Sequence, residues 1–157
     1  GTDGPMVDYS VDIVEQMKAC TFVQNTNHLD PTVMPLERSL EMATINAAMA
    51  LGMADEIGSL EPGKRADIAV FDLRGPHIQV IHNPIANFVC CARGADAHTV
   101  LIDGKTVLSE GRFINFTNVD EVIAEATERG RAIATKAGVI DRARPMWPQH
   151  DAAAAAQ

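Results

Sequence analysis

The stretch LEMATINAAMALGMADEIGSLEPGKRADIAVFDL, residues 40–73, changes character half-way along, and the change decides how the chain is read. Leu36, Leu40, Ala43, Ala47 and Leu51 recur at the three-and-four spacing that gathers side chains on one helical face. Pro35 suits the first helical position, where its missing N–H breaks no bond, and Gly52 suits the stop. These signals predict one helix over 35–52, with an Ala- and Met-rich face able to pack close to a neighbour. From Asp55 the helical period ceases. Pro62-Gly63 marks a turn, and Ala66 to Leu73 reads as a strand with Ile68, Val70 and Leu73 turned inward.

Upstream, Ser10 or Asp12 can cap a helix over about 11–24, and Asp12 with Glu15 has the form of a capping box. Val14, Met17 and Thr21 share its inner face. Residues 25–34 then read as a loop. Downstream, a short strand is expected at 77–81, and Asn83-Pro84 opens an apolar segment that starts as a helix. TVLIDGKTVLSEGRF, residues 99–113, predicts a hairpin turning at Asp103-Gly104, because such a turn needs positive φ at both central residues. Asn118 with Glu121 is expected to cap a last helix over 119–137, before a tail at 143–157. The β unit, of about four strands, shows no obvious second layer. It is expected to pair with strands outside this chain.

Composition excludes several functions. The net charge of −8 is wrong for a nucleic-acid face, which needs a positive surplus, and disfavours anionic membranes. No apolar run reaches the length of a membrane span. With 46% hydrophobic residues a core is affordable, but only seven aromatics can fill it, so Ala, Val, Ile, Leu and Met must. Cys20, Cys90 and Cys91 form no Cys-x-x-Cys, and reduced thiols in a cytoplasmic protein are the simplest reading.

Three segments carry a resemblance: GTDG at 1–4, the 40–73 stretch, and HTVLIDGKTVLSEGRF at 98–113. In this order they resemble the C-terminal third of the amidohydrolase superfamily. The nearest branch is that of the S-adenosylhomocysteine/methylthioadenosine deaminases, guanine deaminase and the chlorotriazine hydrolases. The resemblance implies a mixed α/β and β fold: the end of a (β/α)8 barrel over 1–54, the C-terminal part of a composite β-sandwich over 55–116, and a helix with tail over 117–157. It implies one divalent metal, zinc in first place and iron as the alternative. Asp3, carried over as the carboxylate closing the last barrel strand, would bind that metal and handle the proton of the attacking water. A metal lowers the pKa of bound water to about 7, and a neighbouring carboxylate can relay the proton released. The implied reaction removes an exocyclic amine, or a halide, from a small nitrogen heterocycle.

The resemblance has gaps. The family's His-x-His pair, later His ligands and catalytic Glu have no counterparts among His28, His77, His82, His98 and His150. The chain opens at Gly1 without an initiator methionine, and is expected to be part of a larger enzyme, inactive alone. Pro5-Met6-Val7-Asp8-Tyr9 stands where many relatives carry an Asn-rich stretch, so the substrate can differ; the substrate-binding residues are unknown. Two other functions stay open: an amidohydrolase that opens cyclic amides, and a noncatalytic acidic assembly module. Exposed sheet edges predict self-association.

The plainer readings stand beside these. From spacing alone Asp3 is a turn residue before glycine. His28 reads as a loop residue, Asp8 and Asp12 as helix-start carboxylates, and Asp67 and Asp72 as strand-flanking turn residues. Lys64-Arg65 reads as a solvated turn, Met34, Met42, Met49 and Met53 as core filler, and Cys90-Cys91 as small buried apolar groups.

Overall fold

The computed structural model describes residues 2–5 and 9–140, in two units, Gly1–Asn115 and Phe116–Gln157. The first unit holds α1 (Ile13–His28), α2 (Leu36–Ala43), α3 (Ile45–Ala50), β1 (Ile68–Phe71), α4 (Pro84–Cys91), a 3-10 turn at Gly94–Asp96, β2 (Ala97–Ile102), β3 (Lys105–Ser109) and β4 (Arg112–Phe113). The second holds α5 (Val119–Lys136). The sequence features expected at Asp8, His150 and residues 143–157 lie outside the described residues.

Helix α1 starts as expected but ends later. Asp12 accepts from the Val14 N–H at 2.9 Å. Glu15 does not reach back to Asp12 as a capping box requires; its carboxylate accepts from the Ser10 hydroxyl at 3.0 Å. The helix continues through Asn25, which the sequence placed in a loop, and stops at Leu29 with φ 52°. Asn25 uses its side chain to brace the segment beyond: Oδ1 accepts from Met34 N at 2.9 Å, and Nδ2 donates to Met34 O at 3.3 Å. His28 is therefore the last helical residue rather than part of the loop.

The single helix expected over 35–52 is broken at Thr44, which takes φ −127° and ψ −101°. Its hydroxyl donates to Leu40 O at 2.7 Å, the back-bonding by which β-branched hydroxyl residues bend helices. The bend brings α3 against Gly58, where a Cβ would lie 2.7 Å from Ala48 Cβ. Met42 and Met49 are exposed, not core filler.

The sheet is an antiparallel meander in the order β1-β2-β3-β4. Asp103 and Gly104 take φ 50° and 74°, as the hairpin demands. Asp67 fixes the turn against the start of β1, accepting from Asp103 N at 2.6 Å. The strand expected at 77–81 does not form. Asn87 of α4 takes up its carbonyl instead, donating to Ile78 O at 2.6 Å, and Ile78 becomes fully buried.

Val14 and Met17 of α1, Ile78, Val89 of α4 and Ala92 are buried together, with Leu36, Leu40, Phe71, Leu73 and Phe88 packed against them. Phe71 and Phe88 meet edge to face at 4.8 Å between ring centroids. Each fully buried aliphatic here is worth ~1.5–3 kcal/mol. The Lys64 side chain is only 12% exposed, not solvated: its ammonium donates to Ala54 O and Ser59 Oγ, both at 2.6 Å, and pairs with Glu61 at 3.2 Å. Cys20, Cys90 and Cys91 are free thiols and half-buried, so the adjacent pair is less enclosed than expected. Burial pushes the Cys90 thiol up from its ordinary value, with Cys91 beside it adding to the shift.

Asn118 does not cap α5 through its side chain, contrary to the Asn118–Glu121 reading; its ψ of 38° departs from the extended backbone that a cap needs.

Candidate functional site

Asp3 sits in an irregular segment ahead of α1. Its φ is 54°, left-handed backbone that a short polar side chain tolerates best after glycine. The carboxylate stabilises that turn itself, Oδ1 accepting from Gly4 N at 2.7 Å. The residue is exposed. Pro5 O accepts from Tyr9 N at 2.9 Å.

Asp12 fixes the start of α1. Its Oδ1 caps α1, and its Oδ2 accepts from Gly94 N at 2.6 Å. One carboxylate thus joins the α1 start to the turn before β2. From its neighbours alone Asp12 reads only as a local cap, since nothing short-range points to a partner 82 residues on.

The described histidines do not gather around Asp3. His28 ends α1, His82 precedes α4, and His98 is the second residue of β2, its Nδ1 2.9 Å from the Thr99 hydroxyl. His77 pairs with Asp96 at 3.1 Å, a contact the sequence did not indicate. Asp96 also accepts from Arg93 N at 2.8 Å. Burial disfavours the charged form of Asp96, but the His77 and Arg93 hydrogen bonds outweigh it, and the carboxyl lies below its ordinary range. The Arg74 guanidinium, hydrogen-bonded to Asp72, holds that carboxyl well below its usual range too.

Among the described residues, no three His, Cys, Asp or Glu side chains converge to hold a metal ion. Asp3 offers one carboxylate, whereas zinc takes three or four protein ligands. The donors present here do not fit a complete metal site. A cleft of about 380 Å³ lies between α1, α2 and β1, lined by Ile13, Met17, Leu40, Phe71 and Phe88. Among the described residues, Asp67 is its one ionisable lining residue.

The amidohydrolase family model matches residues 1–107, about two thirds of the chain, from before Asp3 into β3. The chain belongs to the amidohydrolase family. Among the curated amidohydrolase relatives, the 5-methylthioadenosine/S-adenosylhomocysteine deaminase of Syntrophomonas wolfei is 40% identical over 136 residues, 87% of this chain and 31% of the relative. The S-triazine hydrolase of Gordonia rubripertincta is 36% identical over 88% of this chain and 30% of the relative. Among solved structures, an adenosine deaminase from Xanthomonas campestris with bound zinc superposes with a TM-score of 0.78 at 28% identity, over 83% of this chain and 30% of that one. An atrazine chlorohydrolase from Arthrobacter aurescens TC1 complexed with zinc shares the fold, with a TM-score of 0.68 at 23% identity over 80% of this chain and 28% of that one. This amidohydrolase chain spans about 30% of the length of these relatives. No helix of the described residues is long and apolar enough to cross a membrane.

Proposed function

We propose that this chain is the C-terminal part of a metal-dependent amidohydrolase that hydrolytically removes an exocyclic amine, or a halide, from a small nitrogen heterocycle. The observation that carries this reading is 40% identity, over 87% of the chain, to a protein named as a deaminase of methylthioadenosine and S-adenosylhomocysteine. Residues 1–54 belong to the barrel end, 55–116 to the composite sandwich, and 117–157 to a terminal helix and tail. Asp3 is the one carboxylate this segment brings to a divalent metal, zinc before iron. The other ligands come from polypeptide outside this sequence, and the segment alone is inactive. Free thiols at three positions suit a cytoplasmic setting.

Two features support the role of Asp3. It lies inside the family match, and it is exposed. The test is to join this segment to the remainder of an enzyme of the relatives' length and supply zinc. Ammonia release is then followed with 5-methylthioadenosine and S-adenosylhomocysteine, and chloride release with a chlorotriazine. Turnover of one of them is expected, with Asp3→Asn lowering it by about 10²–10⁴-fold, the range of a lost proton acceptor. Undiminished activity in Asp3→Asn would remove Asp3 from the chemistry. An enzyme that opens cyclic amides but leaves all three compounds intact would replace the substrate class.

A further inference from the structure

Building on the reading of this chain as one part of a larger amidohydrolase, we infer that the groove between α1 and α2 is where that part meets the rest. Ile13, Cys20 and Val23 of α1 and Met42 of α2 form it, and an apolar, uncharged segment of the polypeptide outside this sequence fills it.

On a helix of 3.6 residues per turn, an apolar arc of α1 runs from Val23 through Cys20, Ile13 and Met17 to Val14, about half of the circumference. Glu15 and Lys18 stand outside the arc. Up to Gln24 its polar members are Gln16, Thr21 and Gln24, none of them charged. A helix that faces a single core needs an apolar stripe only about 100° wide. The packing within this chain uses one side of the arc. Val14, Met17 and Thr21 are buried, whereas Ile13 remains 44% exposed and Val23 62%. Helix α1 is thus built to be covered on two sides, and this chain covers one.

Helix α2 continues the surface. Met42 is exposed one turn on from Ser39, whose hydroxyl is engaged with Leu36 O at 2.8 Å. The two helices bound a groove of about 370 Å³. Among the described residues, no charged side chain lines it. A charged occupant would lose its water there and meet no opposite charge, whereas an apolar one would bury Ile13, Val23 and Met42 along with itself. The chain spans about 30% of the length of its relatives, so the greater part of the enzyme lies outside it and can supply that occupant.

Cys20, half-buried in the groove, reports on the contact. Its labelling by a maleimide is followed by mass spectrometry of the peptide that contains it. The 157-residue chain is compared with the folded enzyme made by joining it to the remainder. Labelling is expected to be at least ~10-fold slower in the joined enzyme. Equal rates overturn the inference. So does a Cys20 already protected in the 157-residue chain, as when a second copy fills the groove.

Val23→Asp and Lys18→Asp place the same charge on the two sides of α1. In the joined enzyme Val23→Asp is expected to lower the urea midpoint and to speed Cys20 labelling towards the rate of the 157-residue chain, while Lys18→Asp changes neither. In the 157-residue chain neither substitution shifts the midpoint. A joined enzyme equally sensitive to both, or to neither, overturns the inference. These readouts need no substrate. An enzyme that shields Cys20 but turns over none of the test compounds removes the proposed reaction and leaves the contact standing; an active enzyme with an unshielded Cys20 does the reverse.

Discussion

Asp12 and Gly94 are joined by a 2.6 Å hydrogen bond from the Gly94 N–H to Asp12 Oδ2, although 82 residues separate them. The same carboxylate caps α1, so the start of the first helix and the turn before β2 are fixed by one side chain. Asp12→Ala loses a cap worth about 1 kcal/mol and a charge-assisted bond worth about 1.5–3 kcal/mol. A destabilisation of about 2–4 kcal/mol is expected in urea unfolding. A loss under half a unit would mean that water replaces both bonds at no cost.

Gly58 and Gly63 both have positive φ, 91° and 97°, but different surroundings. A Cβ at Gly58 would meet Ala48 Cβ at 2.7 Å and Ile45 Cα at 3.0 Å, whereas at Gly63 it would enter open space. Gly63→Ala is expected to cost only the left-handed strain, about 1–2 kcal/mol. Gly58→Ala adds overpacking of about 1–3 kcal/mol. Thermal melts of the two variants should differ clearly, with Gly58→Ala the lower; equal melting would show that α3 moves freely away.

Lys64 closes the 54–65 turn by donating to a backbone carbonyl and a hydroxyl from an enclosed position. Lys64→Met keeps the stem but removes the ammonium and leaves Ala54 O without its donor. Hydrogen bonds to charged groups are worth about 1.5–3 kcal/mol, and a loss of that size is expected. Lys64→Arg should restore little, because a planar guanidinium does not match the acceptor positions. Full rescue by arginine would mean that charge alone matters here.

The Asp96 carboxyl, opposed by burial but held low by His77 and Arg93, contributes stability only while ionised. Its folded pKa is depressed, so the contribution is complete above the unfolded value near ~3.9 and is lost as pH falls through the lower folded value. Wild type should exceed Asp96→Asn in stability at pH 6, and the gap should close on acidification below about pH 4. Urea midpoints at a series of pH values measure this. A gap constant down to the acid end would mean that the His77 contact is not electrostatic.

Local chemistry was legible wherever a residue acts on its own neighbours. The Asp103-Gly104 hairpin, the Asp12 cap and the helical start at Asn83-Pro84 follow from positive φ, a carboxylate near free N–H groups, and a ring that needs no N–H donor. The family resemblance was legible too, because the 40–73 stretch combines a small-residue helix with the SLEPGK turn and a strand. Misreadings came where distant groups intervene. Asn25 looked like a helix breaker, but Met34 gives its side chain partners that keep it inside α1. Residues 77–81 looked like a strand, but Asn87 takes the carbonyl that a strand would have offered to a neighbour. Lys64 looked solvated, but acceptors at 54 and 59 enclose it.

The turn at Asp103-Gly104, the start of α1 at Asp12 and the start of α4 at Asn83-Pro84 were set by sequence alone, because each depends on spacings of a few residues. Only the tertiary structure decided the break at Thr44, the common core of α1, α4 and the end of β1, and the Asp12–Gly94 link. These depend on which distant groups become neighbours, and burial energy is settled by the completed packing rather than by any one segment.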